Sequence, residues 1–507
     1  MSRAPRPAPV PRPLDEAAGI LGIPLSGAPS VTGVTHDSRA VVPGDLYAAL
    51  PGFVTHGARF AGDAVRSGAV AVLTDPEGRV EAEAAGVPVL VVPDPRSRLG
   101  ELAAWAYGRP ADDLLVLGVT GTNGKTTVTY LLDAGLRAAG HVTGIVGTVG
   151  TRIADTEVPT VRTTPEATDV HALLAVMRER GVTAVALEVS SHALVLGRVD
   201  GLTFDVAGFT NLSQDHLDFH GTMEDYFAAK SGLFTPPRSR RGVVCVDDDW
   251  GRRLAGDADV PVTTYALGTD EAEWRASAGP VGSGGARTLT VSGPGVDGLR
   301  LDVPLPGAFN AANALGALAM LVSAGVDPAL AAWGIGRCRG VPGRMERVPR
   351  PEGRTAPAVA IVDYAHTPDA VARALTAVRE GTSGRVLVVL GCGGDRDREK
   401  RPVMGQTAAR LADVVVVTDD NPRSEDPAAI RQAVLDGTTA VPAGDRADVF
   451  EVGDRRAAVR AAVDRAGPDD VVLVLGKGHE QGQEVAGVTH PFDDRLVLRE
   501  ALEEVDR

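Results

Sequence analysis

The residues best equipped for chemistry stand in GVTGTNGKTT, positions 118–127. A loop that cradles phosphates needs glycines, so that backbone N–H groups can crowd the anion. It also needs a lysine near the terminal phosphate and a hydroxyl beside it to hold Mg²⁺. Gly121 and Gly124 supply the turn, Lys125 follows, and Thr126 and Thr127 supply the hydroxyls. The common template has a further glycine where Val119 stands, so this loop takes a path of its own. The plain alternative is a glycine–threonine turn without a ligand. That would leave a lysine against the positive end of a helix dipole with no anion to balance it.

Two further groups stand where they could serve such a loop. Glu188 closes an apolar run, and His216 lies in QDHLDFHG. A carboxylate, an imidazole and a threonine hydroxyl can together hold Mg²⁺ around a nucleotide. Taken alone, His216 reads as a hydrogen-bonded loop histidine, and Lys230, in DYFAAKSGLF, as a solvated lysine on an amphipathic helix.

These residues need elements to position them. Positions 114–140 read as an apolar strand, a loop, and a helix ended by glycine. VTAVALEVSSH (182–192) and VAGFTNLSQDHLDFHG (206–221) read as strands with polar residues at their carboxyl ends. A parallel sheet with crossover helices accounts for all three, and such sheets bind ligands at those ends. Upstream, AVAVLTD (69–75) and VPVLVVPD (87–94) mark a small α/β domain. Downstream, four Val/Leu-rich runs within 356–480 each stop at polar or Gly-rich residues, the pattern of a doubly wound α/β domain. FNAANALGALAMLVSAG predicts a helix ending at Gly325, and the Gly/Ser-rich stretch 276–298 a hairpin or surface excursion. The expected organisation is a disordered tail over 1–13 and three domains, at 14–108, 109–340 and 341–507.

The 507 residues exceed what one core sustains, which fits three domains. A net charge of −15 argues against a nucleic-acid binder. Cys245, Cys338 and Cys392 are too far apart for a zinc or disulfide framework, which fits a reducing compartment. No apolar run approaches the ~20 residues that span a bilayer. The Pro-rich, basic N-terminus has no apolar segment behind it and does not read as a signal peptide. A cytoplasmic protein without a membrane partner is expected.

Ten motifs then occur in order: GTNGKTT, EVSSH, NLSQDHLDFHG, YFAAK, PGAFNAANALGA, VPGRMERV, DYAHTPDA, GCGGDRDREKRPVMG, DDNPR and GKGHE. Together they cover nearly the whole chain, which resembles the Mur ligases, most of all those that add meso-2,6-diaminopimelate. The resemblance implies an N-terminal domain that grips a UDP sugar and a central P-loop-type ATP-binding domain with a parallel sheet. It also implies a C-terminal Rossmann-like domain that brings the amino acid. The implied partners are UDP-N-acetylmuramoyl-L-Ala-D-Glu and meso-diaminopimelate, both small molecules of peptidoglycan precursor synthesis, and a monomeric enzyme. The implied reaction is ATP-dependent. A carboxylate attacks the γ-phosphate, and the resulting acyl phosphate is attacked by an amine to give an amide.

Site residues carry over by position. Gly121, Thr122, Asn123, Gly124, Lys125, Thr126 and Thr127 match the phosphate loop, with Lys125 on the γ-phosphate. Asn310 matches the residue that reads adenine, and Arg344 and Asp363 match residues that meet phosphate and ribose. Thr126, Glu188 and His216 match Mg²⁺ positions, two ions being implied. Lys230 matches a lysine that the family carbamylates with CO₂ to hold the second ion. Ser38 matches a uridine-side contact, and Thr163, Thr164, Ser190 and Arg198 match contacts to the muramoyl peptide. Leu196 departs from the pattern, since some relatives carry glutamine there, and the stretch 51–60 matches only loosely.

For the amino acid, Asp420, Asn421, Pro422 and Arg423 form DNPR, Arg396 matches a second carboxylate contact, and Gly476 and Glu480 match the ammonium side. Asn-Pro alone is a common turn. A guanidinium after it can grip the distal carboxylate of diaminopimelate as a fork, a group that lysine lacks. A lysine-adding ligase of the same family, a folylpolyglutamate synthetase-like ligase and an inactive nucleotide-binding relative are the competing readings. Arg423 argues against the first, the large N-terminal domain and DNPR against the second, and the intact Lys125, Glu188, His216 and Lys230 against the third.

Overall fold

The computed structural model describes residues 5–25, 29–52, 54–158, 162–269, 271–281, 285–349 and 359–504. The chain divides into two compact units. The first is residues 1–276 with 291–297 and 313–335, and the second takes the rest.

The first unit holds a four-stranded parallel sheet and the parallel centre of a larger mixed sheet. β1 (Gly33–Thr35), β2 (Asp45–Ala48), β3 (Ala71–Thr74) and β4 (Val89–Val91) pair in that order. α1 (Pro95–Ala106) opens with Asp94, whose carboxylate accepts from the Arg96 and Ser97 N–H groups, and with Pro95 as its first residue. Both are start signals, because the cap fills orphan donors and proline has none to lose. Leu99, Leu102, Ala103 and Ala106 of this helix join a core with Ala172 and Ala175 of the next domain. The two N-terminal domains are thereby packed into one unit.

The second sheet contains β5 (Leu115–Thr120), β6 (Thr143–Gly147), β7 (Ala184–Glu188), β8 (Val206–Phe209), β9 (Gly242–Cys245) and β10 (Val262–Ala266). They run parallel in the order β6-β7-β5-β8-β9-β10. Leu117, Val119, Ala186 and Leu187 are wholly buried, as a sheet covered on both faces requires. α2 (Lys125–Ala138), α3 (Ala167–Glu179) and α4 (Met223–Ser231) follow strands of this sheet. α5 (Ala308–Ser323) forms where the apolar run 309–325 predicts it, with Gly325 at φ 92° just beyond.

The second unit is built on β11 (Glu346–Val348), β12 (Val359–Asp363), β13 (Val386–Leu390), β14 (Val414–Val417), β15 (Asp448–Glu451) and β16 (Val471–Leu475). Their order is β11-β12-β16-β13-β14-β15, antiparallel only between β11 and β12. α6 (Lys400–Leu411), α7 (Arg455–Arg465) and a hairpin of β17 (Gly482–Val485) and β18 (Val488–Pro491) surround it, and α8 (Asp494–Glu504) ends the described chain. This is the doubly wound domain expected from the repeated Val/Leu runs.

One expectation needs correction. Residues 1–13 read as a disordered tail, yet from residue 5 the chain is held. The Arg6 guanidinium donates to Asp45 at 2.6 Å, Ala8 N–H donates to Glu179 at 2.9 Å, and Arg12–Pro13 pairs with Ser30–Val31. Asp45 is wholly buried, so its charge needs a cation that the local sequence does not supply. The Gly/Ser-rich stretch carries strands at Trp274–Val281, Arg287–Gly293 and Val296–Val303. Part of it, 282–284, lies outside the described residues, as does Phe53 of the loosely matching stretch 51–60.

Candidate active site

In the first unit the loop between β5 and α2 takes the path that its glycines permit. Gly121 and Gly124 have φ of 141° and 90°. A Cβ on Gly121 would collide with Thr210 Oγ1, and one on Gly124 with Asn313 Oδ1. Both positions therefore exclude a side chain on space as well as on conformation. Thr210 Oγ1 donates to Asn123 O at 2.6 Å, Asn211 Nδ2 donates to the same oxygen at 3.1 Å, and Asn123 N–H donates to Asn211 Oδ1 at 3.1 Å. The loop is braced from the end of β8, the polar stretch FTN. Lys125 Nζ turns back to donate to Gly121 O and Thr122 O, each at 2.9 Å.

Glu188 closes β7 beside this loop. Its Oε2 accepts from Thr126 Oγ1 at 3.0 Å and from Thr148 Oγ1 at 2.9 Å, and its Oε1 accepts from the Thr148 N–H at 2.9 Å. Glu188 is 1% exposed. Thr148 Oγ1 also lies 3.0 Å from Thr163 Oγ1, and Thr164 Oγ1 donates to Glu188 O and Ser190 Oγ. The sequence-named Thr126, Thr163, Thr164, Glu188 and Ser190 thus form one network, and Thr148 is the member that sequence reasoning missed. Arg198 pairs with Glu166 at 2.9 Å, and Arg162 shares the same carboxylate. Ser38 begins a short 3₁₀ turn in the N-terminal domain, apart from these threonines along the chain.

Lys230 reverses its plain reading. It is 1% exposed, not solvated, and its Nζ donates to Gly121 O at 2.8 Å and lies 4.6 Å from the Tyr226 ring centroid. Burial and then the charge of Lys125 hold its amine well below the ordinary lysine value. Tyr226 is braced in turn by Thr122, 3.2 Å away. His216 occupies a left-handed position at φ 53°, before a short helix, with its ring 4.9 Å edge-on to His192. Burial, followed by the opposing pull of Asp215 and repulsion from His192, Lys125 and Lys230, pushes its imidazole down to about 4. Among the described residues no three of His, Cys, Asp and Glu converge into a ready metal cage. The donors that do converge, the Thr126 hydroxyl and the Glu188 carboxylate, are hard oxygens and suit Mg²⁺ shared with phosphates and water.

Asn310 and Asn313 lie on α5. Asn310 Nδ2 donates to Pro306 O at 2.7 Å, while Asn313, one turn further on, abuts Gly124 of the loop.

The second unit holds its own cluster where the β strands end. Asn421 and Pro422 are buried, and Arg423 sits at φ 53° with its N–H donating to Glu484 O at 3.0 Å. The Arg423 guanidinium donates to Gly394 O at 2.6 Å and lies 3.5 Å from Glu484. Gly394 N–H donates to Asn421 O, and a Cβ on Gly394 would collide with Pro422 O. The GGDRD and DNPR loops therefore pack backbone to backbone. Arg401, nearly wholly buried, clamps them by donating to both oxygens of Glu425, at 2.8 and 3.1 Å. That fork and the Asp395 N–H hold the Glu425 carboxyl down to about 2. Arg396 stays exposed on this loop. Asp420 stands against Gly476, where a Cβ would strike its carboxylate, and Glu480 accepts from Asn421 Nδ2 at 2.9 Å. Beneath them the buried pair Arg455–Asp494 ties β14 and β16, its guanidinium donating to Asp419 O and Leu475 O. Near the start of this unit the Asp363 carboxylate accepts from Met345 and Ala365 N–H groups. Burial raises its carboxyl above the ordinary value against the pull of Arg344, whose guanidinium lies 4.4 Å from the Tyr364 ring.

The fold and these clusters define a three-domain α/β protein with a glycine-turn loop opening a helix in one unit and a polar cluster at the strand ends in the other. Three family models match along the chain: "Mur ligase family, catalytic domain" over 30–107, "Mur ligase middle domain" over 119–321, and "Mur ligase, glutamate ligase domain" over 343–478. The chain is 58% identical over 495 residues to the UDP-N-acetylmuramoyl-L-alanyl-D-glutamate–2,6-diaminopimelate ligase of Streptomyces coelicolor, covering 97% of this chain and 96% of that one. It is 50% identical over 493 residues to the ligase of the same name from Corynebacterium glutamicum, covering 95% and 94%. A solved structure of a ligase so named matches with a TM-score of 0.68 at 32% identity, over 96% of this chain and 98% of the other. The chain belongs to the Mur ligase family.

Proposed function

We propose that this chain joins meso-2,6-diaminopimelate to the D-Glu carboxylate of UDP-N-acetylmuramoyl-L-Ala-D-Glu, with ATP as the driving co-substrate, in cytoplasmic peptidoglycan precursor synthesis. The relatives named for that reaction match over nearly the whole chain, which supports the class of reaction. The observation that carries the choice of amino acid is Arg423, held on a strained loop after β14 against Gly394 O and Glu484, two residues past Asn421, whose amide donates to Glu480. A guanidinium and a carboxylate together suit a substrate end that carries both a carboxylate and an ammonium.

The reaction needs a poor electrophile made good. An oxygen of the D-Glu carboxylate attacks the γ-phosphorus, the bond to ADP breaks, and an acyl phosphate forms. The amine of diaminopimelate then attacks the acyl carbon, phosphate leaves with the electron pair of its bond, and the nitrogen gives up a proton to the departing phosphate or to water. The residues of this chain serve by alignment and charge. The N–H groups of 121–127 and the Lys125 ammonium bind the ATP phosphates, while Asn310, Arg344 and Asp363 serve its adenosine and phosphate side. Thr126 and Glu188 would hold a Mg²⁺ ion, and His216 and Lys230 a second, with Lys230 as a carbamate. Such ions neutralise phosphate charge when bound. Lys230 suits carbamylation, because its buried amine is held towards the neutral form that reacts with CO₂. Ser38, Thr163, Thr164, Ser190 and Arg198 hold the nucleotide sugar, and Arg396, Asp420–Arg423, Gly476 and Glu480 the amino acid.

A product assay tests the reading. With ATP, Mg²⁺ and the UDP-muramoyl dipeptide, meso-diaminopimelate should yield the tripeptide while L-lysine should not. Equal use of both would refute the amino-acid assignment, and ADP release without any amide would refute the ligase.

A further inference from the structure

The turn after β16 hides a lysine. Gly476 and Gly478, at φ 116° and 53°, flank Lys477, which is 0% exposed. A buried ammonium is costly unless partners replace its water. Here Nζ donates to Asn421 Oδ1 at 2.9 Å and to Glu480 Oε2 at 3.1 Å. Asn421 Oδ1 also accepts from Glu484 N–H at 3.0 Å, and its Nδ2 donates to the same Glu480 oxygen at 2.9 Å.

This closed triangle fixes which way each group faces. An ammonium can only donate, so the Asn421 atom turned to it is the carbonyl oxygen, and the amide NH₂ must face Glu480. Glu480 Oε2 thereby takes two donors, while Oε1 takes no hydrogen bond from a described residue. The Glu480 side chain remains one third exposed. One oxygen is tied down and the other is left for an incoming cation.

We propose that Lys477 is a positioning residue that sets the selectivity of this pocket for a diamino diacid. It touches Asn421 and Glu480 rather than the substrate, and it orients the free Glu480 oxygen towards the substrate's distal ammonium. The inference rests on the function proposed above. Without the lysine, the Asn421 amide loses what fixes its orientation and the Glu480 carboxylate can rotate. The distal ammonium then has no fixed acceptor, and its configuration matters less.

The test compares the full-length wild type with Lys477→Met, which keeps length without charge, and Lys477→Gln, which keeps a donor. Steady-state constants are measured for meso-diaminopimelate, LL-diaminopimelate, ATP and the UDP-muramoyl dipeptide, with thermal melts alongside. Loss of a buried charge-assisted hydrogen bond predicts a KM for meso-diaminopimelate raised at least ~10-fold in Lys477→Met. The preference for the meso over the LL isomer should fall by a similar factor. Lys477→Gln should lie between this variant and the wild type. The KM values for ATP and the dipeptide should stay within about twofold, below the ~1.4 kcal/mol that a tenfold change represents. An unchanged KM and unchanged isomer preference in Lys477→Met, with an active wild type, overturn the positioning role alone. A parallel rise in all KM values, or failure of both variants to fold, makes Lys477 a merely structural charge and overturns it too. A wild type inactive with meso-diaminopimelate overturns the functional reading and this pocket with it.

Discussion

At the scale of single residues, the site depends on what surrounds Glu188. Three donors from Thr126 and Thr148 hold its carboxylate. Thr148→Val keeps the shape and the backbone N–H but deletes a hydroxyl donor. Glu188 then has one less bond fixing it for a cation. The Mg²⁺ concentration for half-maximal activity should rise by roughly 10-fold, the weight of one charge-assisted hydrogen bond. A Mg²⁺ titration of ATP-dependent phosphate release checks this, and an unchanged midpoint would remove Thr148 from the metal's surroundings. At the other pocket, Arg423→Ala should raise the KM for meso-diaminopimelate by roughly 10²-fold and leave that for ATP nearly unchanged, since a desolvated charge pair is worth a few kcal/mol. Full retention of diaminopimelate affinity would refute the carboxylate fork. The sequence made Arg423 and Lys125 legible because each announces itself within a few residues. Thr148 was not legible, because its partner Glu188 lies forty residues away and a lone threonine after a glycine carries no signal. Lys230 misled for a related reason: its helix has only nine residues, and nothing local says that Tyr226 and the Gly121 carbonyl enclose its amine.

At the scale of elements, strands were legible and the couplings between elements were not. Runs such as VVVV and VVLVL declare a sheet buried on both faces. No pattern declares that Arg6 belongs with Asp45 or that Arg401 clamps two loops through Glu425. The packing of α3 is another hidden coupling, and it has a consequence in pH. His171 lies on the buried side of α3, with its Nε2 3.0 Å from Asp200 O. Its Nδ1 is buried and has no hydrogen-bond partner among the described residues. Burial, with a further push from Arg109, lowers its imidazole from 6.5 to about 4. The folded value is the depressed one, so the unfolded chain takes up the proton first as pH falls. The stability that depends on a neutral His171 is full above pH 6.5 and is lost as pH falls towards 4. At 1.36 kcal/mol per unit the total is about 3 kcal/mol, most of it gone by pH 5. All four tryptophans, Trp105, Trp250, Trp274 and Trp333, lie in the first unit, so their fluorescence in urea reports this unit alone. The wild-type midpoint should drop between pH 7.5 and 5, and His171→Gln should flatten that drop. An equal drop in both would place the acid sensitivity elsewhere.

At the scale of the whole molecule, the two proposed sites are each braced from within a unit: the proposed phosphate loop by Thr210, Asn211 and Asn313, and the proposed amino-acid cluster by Arg401, Arg455 and Lys477. Each of these braces lies within one unit. A ligand that binds the folded state stabilises it by mass action, by about 2.7 kcal/mol at a hundred times its Kd. ADP with Mg²⁺ should therefore raise the tryptophan-monitored urea midpoint of the first unit. Lys125→Ala removes the ammonium proposed to meet the phosphates without opening a core cavity, since Lys125 is only part-buried. It should abolish amide formation and shrink that nucleotide-dependent shift to near zero at the same concentrations, while the midpoint without nucleotide moves little. A variant that keeps the full shift would mean that the nucleotide lies away from residues 121–127, and the phosphate cradle on which the proposed reaction stands would have to be abandoned.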